Sequence, residues 1–192
     1  RAFSGPYAQV IEYRSGVEVT SADSAQMLLS TNAGQVRGDV INVIPPHRAG
    51  VLVAASGLIT GSNDRFAPVD VLSYGSKAAP NVHVIGDSCA TTQPKAGHIA
   101  NQEAKVCADA LVRIFSGGQP DPSPVTNSAC YSTISRTEAT WLNAVFQFDA
   151  ATKSMVAVAK SLAASQSWTA DNFKDMATRP PAPPPAPSPP PP

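Results

Sequence analysis

The sequence predicts an α/β chain built from short strands, one long helix and a small α+β region at its C-terminal side. Three observations carry this. The first fifty residues are strand-like runs separated by turn residues, residues 81–115 read as strand, Gly-Asp, loop and helix, and a Pro/Ser linker then opens a second apolar region. The bulk numbers agree with a packed core. Of 192 residues, 43% are hydrophobic and only 15% charged, and 14 basic residues balance 14 acidic ones. A zero net charge argues against a nucleic-acid-binding role, which favours a basic excess. The apolar run over residues 51–55 is as long as any in the chain, far short of the roughly 20 residues that span a bilayer.

In chain order, residues 7–13 have strand composition and end at Ser15-Gly16. Residues 17–20 and 27–31 are further strand runs, the latter closed by Asn32-Ala33-Gly34. Residues 36–44 form a fourth run, stopped at Pro45-Pro46 because proline lacks the N–H that a central strand needs. The pattern predicts an antiparallel meander feeding a buried strand. Residues 51–58 are a short apolar segment in a loop-rich stretch, and residues 66–71 are weakly strand-like.

The strongest local signal follows. Residues 81–87 (Asn-Val-His-Val-Ile-Gly-Asp) read as a β-branched strand delivering Gly86 and Asp87, and a polar loop leads to Lys95-Ala96-Gly97. A helix is predicted from His98, with Ala100, Ala104, Cys107, Ala108, Leu111 and Phe115 as its apolar face and Gly117-Gly118 as its stop. Residues 121–128 read as linker. Residues 130–176 then carry a possible helix at 154–164 and a small core from Trp141, Phe146, Phe148, Trp168 and Phe173. Ten of the 19 prolines lie in residues 180–192, so residues 179–192 are expected to be a solvated polyproline II tail.

This arrangement suggests a chemistry. Glycine at a strand tip lets a ligand approach the backbone, and the aspartate beside it accepts hydrogen bonds from ribose or ribityl hydroxyls. The start of the following helix has unpaired N–H groups and partial positive charge, worth about 1–2 kcal/mol to a partly buried anion. Lys95 adds to this charge, and His98 is placed to contact a ligand. An ordinary β–loop–α unit with a turn aspartate has the same pattern. No GxGxxG is present, so a dinucleotide's pyrophosphate cradle is not in these residues, and the chain, which starts at Arg1, reads as a fragment or processed product.

The three cysteines, Cys89, Cys107 and Cys130, have no CxxC or His spacing that would suggest zinc. Cys107 lies on the helix stripe and reads as packing. Cys130, in a loop after the linker, reads as either a buried structural residue or a redox thiol. Cys89 reads as structural but close to the ligand, and His83 as structural.

Several passages together resemble one family. They are Gly38-Asp39-Val40-Ile41-Asn42-Val43-Ile44-Pro45-Pro46-His47-Arg48-Ala49-Gly50, then Val82-His83-Val84-Ile85-Gly86-Asp87, then Pro94-Lys95-Ala96-Gly97-His98-Ile99-Ala100-Asn101-Gln102, and Asn127-Ser128-Ala129-Cys130-Tyr131-Ser132. In order and spacing they resemble the flavoprotein subunit of flavocytochrome c sulfide dehydrogenase, across residues 7–178. Gly-Asp is shared by many flavoproteins, whereas the Ile-Pro-Pro and Asn-x-x-Cys-Tyr-Ser passages are more specific. The loop 88–93 departs from the family pattern, and the proline tail is foreign to it.

The resemblance implies the C-terminal part of a glutathione-reductase-like flavoprotein with two dinucleotide-binding domains. Residues 1–80 would be the end of the second dinucleotide domain, 81–118 the returning FAD segment, 119–178 a small α+β flavin-binding and interface domain, and 179–192 the tail. It implies that Gly86 and Asp87 hold the ribityl chain of FAD, that Lys95, Ala96 and Gly97 lie by the pyrimidine edge, and that Cys130 is the C-terminal member of a redox-active cysteine pair whose partner is upstream. The implied activity is periplasmic sulfide oxidation: sulfide attacks the cysteine disulfide, a thiolate passes two electrons to FAD, and the haem of a cytochrome c subunit takes them singly. The alternatives are a sulfide:quinone or NAD(P)H-type flavin oxidoreductase, and a non-catalytic electron-transfer or docking module whose proline tail binds an aromatic groove.

Overall fold

The computed structural model describes residues 1–61 and 65–178. It divides into two units, residues 1–46 and a second from His47 onward. Among the described residues there are three α-helices and ten strands in several sheets, a mixed α/β content. No helix among them is long and apolar enough to cross a membrane.

The first unit contains the expected meander. Strands β1 (Val19–Asp23), β2 (Leu28–Thr31) and β3 (Gly34–Arg37) pair antiparallel in sequence order. Asp23 Oδ1 accepts from the Ala25 and Gln26 N–H groups and fixes the first turn. Two sequence expectations fail here. Residues 3–10 form successive turns, with Val10 N–H donating to the Tyr7 carbonyl at 3.0 Å, instead of a strand over 7–13. Residues 40–44 pair with no strand, and Val40 and Ile44 are 87% and 75% exposed instead of buried. Both runs have strand-forming side chains, but strand structure needs a neighbouring ladder, and none runs alongside them in this unit.

The second unit begins with a short helix α1 (Val51–Ala55) in the stretch expected to be loop-rich. Strand β4 (Ala67–Asp70) is the hub of a small sheet, antiparallel to β5 (Gly75–Ser76) and parallel to β6 (Cys89–Ala90). The expected strand over 81–87 is reduced to one isolated bridge, Gly75 to His83, flanked by Ser76 N–H to Val82 O (2.8 Å) and Val84 N–H to Tyr74 O (2.9 Å). With only two residues in β5 there is no further edge to pair with. Gly86–Ser88 then form one 3-10 turn.

Helix α2 (Gly97–Phe115) starts and stops where the sequence placed it, but its buried face is rotated. The buried residues are Ile99, Glu103, Cys107 and Ala110, while Ala108 is exposed and Phe115 is 83% exposed. Only Cys107 of the expected stripe is buried. The row through Ile99 and Cys107 escaped notice because a glutamate in its centre reads as solvent-facing.

Beyond the Gly117-Gly118 stop, β7 (Val125–Thr133) and β8 (Ala139–Asp149) form a long antiparallel pair. Strands β9 (Ser154–Ala157) and β10 (Ala163–Ala164) each pair with β8, along Phe146–Asp149 and Leu142–Asn143 respectively. Helix α3 (Ala170–Thr178) follows. The linker is thus shorter than expected, and residues 154–164 hold two strands instead of a helix. Met155 is buried and Val156 exposed, a period of two that a continuous apolar run conceals. Of the expected aromatic core, Phe146 is buried and Phe148 packs against the core, while Trp141, Trp168 and Phe173 are half-buried. The proline-rich segment lies outside the described residues.

One core joins these elements: Ala67, Val69, Val71 and Tyr74 from the β4 region, Val84 and Cys89, Ile99 and Cys107 of α2, Ala144 and Phe146 of β8, and Met155 of β9.

Candidate functional site

The Gly86–Asp87 tip, the first turns of α2 and one face of β7 come together. Gly86 adopts φ +69°, a conformation that side chains with a Cβ rarely adopt, and a Cβ built on it would lie 3.3 Å from Ala100 Cβ on α2. The glycine is therefore required twice, for its backbone conformation and for close approach to the helix. Gly86→Ala should cost about 1–2 kcal/mol, combining left-handed strain with the tight contact. Urea unfolding measures it, and a loss under about 0.5 kcal/mol would mean that the tip and α2 are not held in register.

Asp87 is exposed and has no partner among the described residues. Ala96 precedes the helix in an extended conformation (φ −152°, ψ 144°) and supplies no side-chain cap. A Cβ built on Gly97 would meet nothing within 4 Å. No side chain caps the N–H groups of this first turn, and there is free space beside Gly97.

His98 ties the helix start to β7. Ala129 N–H lies 3.0 Å and the Ala129 carbonyl 3.3 Å from His98 Nδ1, and Gln102 Nε2 lies 3.5 Å from His98 Nε2. Both ring nitrogens thus have a neighbour within the chain, the strand at Nδ1 and Gln102 at Nε2. On β7, Thr126 and Ser128 are buried and Cys130 continues the same alternating face. The Cys130 thiol is exposed, with Ser128 Oγ 3.9 Å away. The residue lies on a strand paired with Leu142, not in a loop, and its thiol is not the buried structural one.

Lys95 is half-buried. Its ammonium donates to the Cys89 carbonyl and sits 4.4 Å above the centre of the Phe66 ring. Its charge is thereby fixed at the loop that leads into α2.

Sequence reasoning missed Glu103. It is 1% exposed, and its carboxylate accepts from Gly86 N–H (2.6 Å), Thr91 Oγ1 (3.4 Å) and Cys89 Sγ (3.5 Å). Burial raises its pKa, against the opposing pull of the Gly86 and Cys89 hydrogen bonds and of Lys95. The signal for it was a carboxylate in the middle of the Ile99–Cys107 row. Cys89 is fully buried, donates to the Gly86 carbonyl at 3.1 Å, and is pushed up to about 12, first by burial and then by Glu103. It is a structural thiol beneath the tip.

A second buried polar chain was also missed. Tyr74 OH donates to Gln93 Oε1 at 3.2 Å, and Gln93 Nε2 donates to Thr126 Oγ1 at 2.5 Å, all three residues being buried. It clamps the loop before α2 between the β4 sheet and β7. His83 Nδ1 lies 2.9 Å from the Ser73 carbonyl, a structural contact. No group of three His, Cys, Asp or Glu residues able to hold a metal occurs among the described residues.

The donor set suits a ligand with hydroxyls for Asp87 and an electron-rich edge for the helix start, with an exposed thiol on the strand bonded to that helix. No known protein-family model matches the chain.

Proposed function

We propose that this chain is the C-terminal part of a two-dinucleotide-domain flavoprotein that oxidises sulfide in the periplasm and passes the electrons to a cytochrome c subunit. The observation that carries the reading is the convergence on α2 of the Gly86–Asp87 tip and the Cys130 face of β7. The residues fit FAD: an unpartnered carboxylate at a tip with a positive φ glycine, and a helix start that no side chain caps. When bound, FAD supplies a two-electron acceptor that can release electrons singly.

The chain's own residues divide the work. Asp87 accepts hydrogen bonds from ribityl hydroxyls and orients that chain. The N–H groups of the first turn of α2 stabilise negative charge that develops on the pyrimidine edge, and Lys95 adds a nearby fixed positive charge. Cys130 offers a thiol that solvent and a small nucleophile can reach. It would form a disulfide with a second cysteine outside these residues. Sulfide attack on that bond makes a persulfide on one sulfur and releases the other as thiolate.

The test uses the full-length protein. Cys130→Ser should leave FAD bound but lower sulfide-dependent reduction of cytochrome c by about a hundredfold or more, as loss of a covalent nucleophile does. Asp87→Ala should weaken FAD binding by about 10–100-fold, the loss of hydrogen bonds to a charged acceptor. Unchanged turnover in the first variant, or unchanged flavin content in the second, would overturn the respective assignment.

A further inference from the structure

One carboxylate fastens the whole segment from Gly86 to Thr91 onto the second turn of α2. Its three contacts, the Gly86 N–H, the Cys89 thiol and the Thr91 hydroxyl, come from the 3-10 turn, from β6 and from the loop after it. Asp87 is the next residue after the Gly86 N–H that it holds, and Gly97 opens the helix on which Glu103 stands. We infer that Glu103 is a positioning residue that sets the place of the Asp87 carboxylate relative to the N-terminus of α2, and thereby the geometry in which a ribityl chain is held. The second half of this inference rests on the flavin reading, while the first half does not.

The argument is geometric. At φ +69°, Gly86 has no steric preference strong enough to keep it in one conformation, so the turn needs an external hold. The closest described one is the 2.6 Å hydrogen bond from its N–H to Glu103. Glu103 is 1% exposed, so a shift of the tip would take from a buried carboxylate the hydrogen bonds that compensate its burial. A glutamine would keep an acceptor for Gly86 N–H, but an alanine would not. The titratable groups around the carboxyl are Cys89 on β6, Lys95 on the preceding loop, Tyr74 at the end of the β4–β5 turn and Cys107 one turn along α2. Burial keeps the cysteines and the tyrosine protonated well beyond the carboxyl's range. Lys95 favours the carboxylate form.

The 192-residue chain provides a readout that needs no flavin. The Gly86 amide is followed by NMR from pH 4 to 8 in an Asp87→Asn background, which removes the adjacent exposed carboxyl. With Glu103 present, its proton shift should titrate in one step with a midpoint above the ordinary glutamate value. Glu103→Gln should abolish that step and keep the amide's exchange rate within about threefold, and Glu103→Ala should speed exchange by about tenfold or more. If Glu103→Ala does not fold, the glutamine variant decides alone: persistence of the same titration step would overturn the inference, and its loss supports it. In the full-length protein with Asp87 intact, Glu103→Ala should weaken FAD binding by about tenfold and Glu103→Gln should restore it. An amide unmoved in folded Glu103→Ala would overturn the positioning role. A loosened amide with unchanged FAD affinity would overturn the link to the ribityl geometry and leave the flavin reading standing. Amide changes as expected in a protein that binds no FAD with Glu103 in place would reject the flavin reading and leave the hold on the tip intact.

Discussion

Replacing Tyr74 with alanine should cost the unit from His47 onward about 4–6 kcal/mol, from the lost packing of a buried aromatic together with an orphaned partner. Tyr74 is 0% exposed and lies in the central core with Val69, Val84 and Phe146. Its hydroxyl is the first link of the Tyr74–Gln93–Thr126 chain, so its removal leaves Gln93 Oε1 buried without a donor. Such a loss is comparable to the whole stability of many domains, and the alanine variant should unfold at little or no denaturant. Tyr74→Phe separates the two contributions. It keeps the ring and loses only the hydroxyl, at a cost of about 1–2 kcal/mol. The residue also sits at φ +57° at the end of the β4–β5 turn, with its N–H donating to the Asp70 carbonyl at 2.6 Å. Phenylalanine adopts that conformation no less readily than tyrosine, so the comparison is not confounded by strain. Urea unfolding followed by far-UV circular dichroism gives both numbers. Equal losses for the two variants would mean that the hydroxyl, not the ring, dominates, and an alanine cost under about 2 kcal/mol would contradict the burial.

The same chain of contacts explains which parts of the molecule could be read from the sequence. Helix α2 was legible because spacings of three and four run between a clear start near Gly97 and the Gly117-Gly118 stop. The β1–β2–β3 meander was legible in its strand-like runs and in the Asn32-Ala33-Gly34 turn between β2 and β3. Features set by partners distant in sequence were not legible. Residues 154–164 show that apolar composition alone does not say whether a ladder or a helix will form, because the decision lies with β8 and with the core, and residues 40–44, with no ladder beside them in their own unit, form neither. The tip at Gly86, Asp87 and the thiol at Cys130 were named from local pattern. Their joining through Ala129 and His98 spans 31 residues, and no periodicity reveals it. Glu103 was hidden for the opposite reason. Its charge marked it as solvated, although its three acceptor contacts to residues 86–91 let a carboxylate stand in the buried row.

Of the three cysteines, Cys130 alone should be alkylated by iodoacetamide at pH 8 in the folded chain, and peptide mass spectrometry identifies it. Cys130 is exposed on β7, whereas Cys89 is 0% and Cys107 8% exposed. Cys89 is doubly protected. With its thiol pushed up to about 12, only about one molecule in 10⁴ carries the reactive thiolate at pH 8, and its sulfur is covered by Gly86 and Glu103. Its labelling should be slower than that of Cys130 by about a thousandfold or more, and the gap should vanish in denaturant. The residual rate reports how often residues 86–91 lift from α2, because reaction must pass through that opening. If the opening is the global one, Tyr74→Phe should speed Cys89 labelling by about 5–30-fold, the factor that corresponds to 1–2 kcal/mol. If the tip opens by itself, Tyr74→Phe should leave the rate nearly unchanged while Glu103→Ala raises it. A Cys130 that resists alkylation as firmly as Cys89 would remove the thiol on which sulfide chemistry depends. A Cys89 as reactive as Cys130 would mean that the buried carboxylate does not hold the tip.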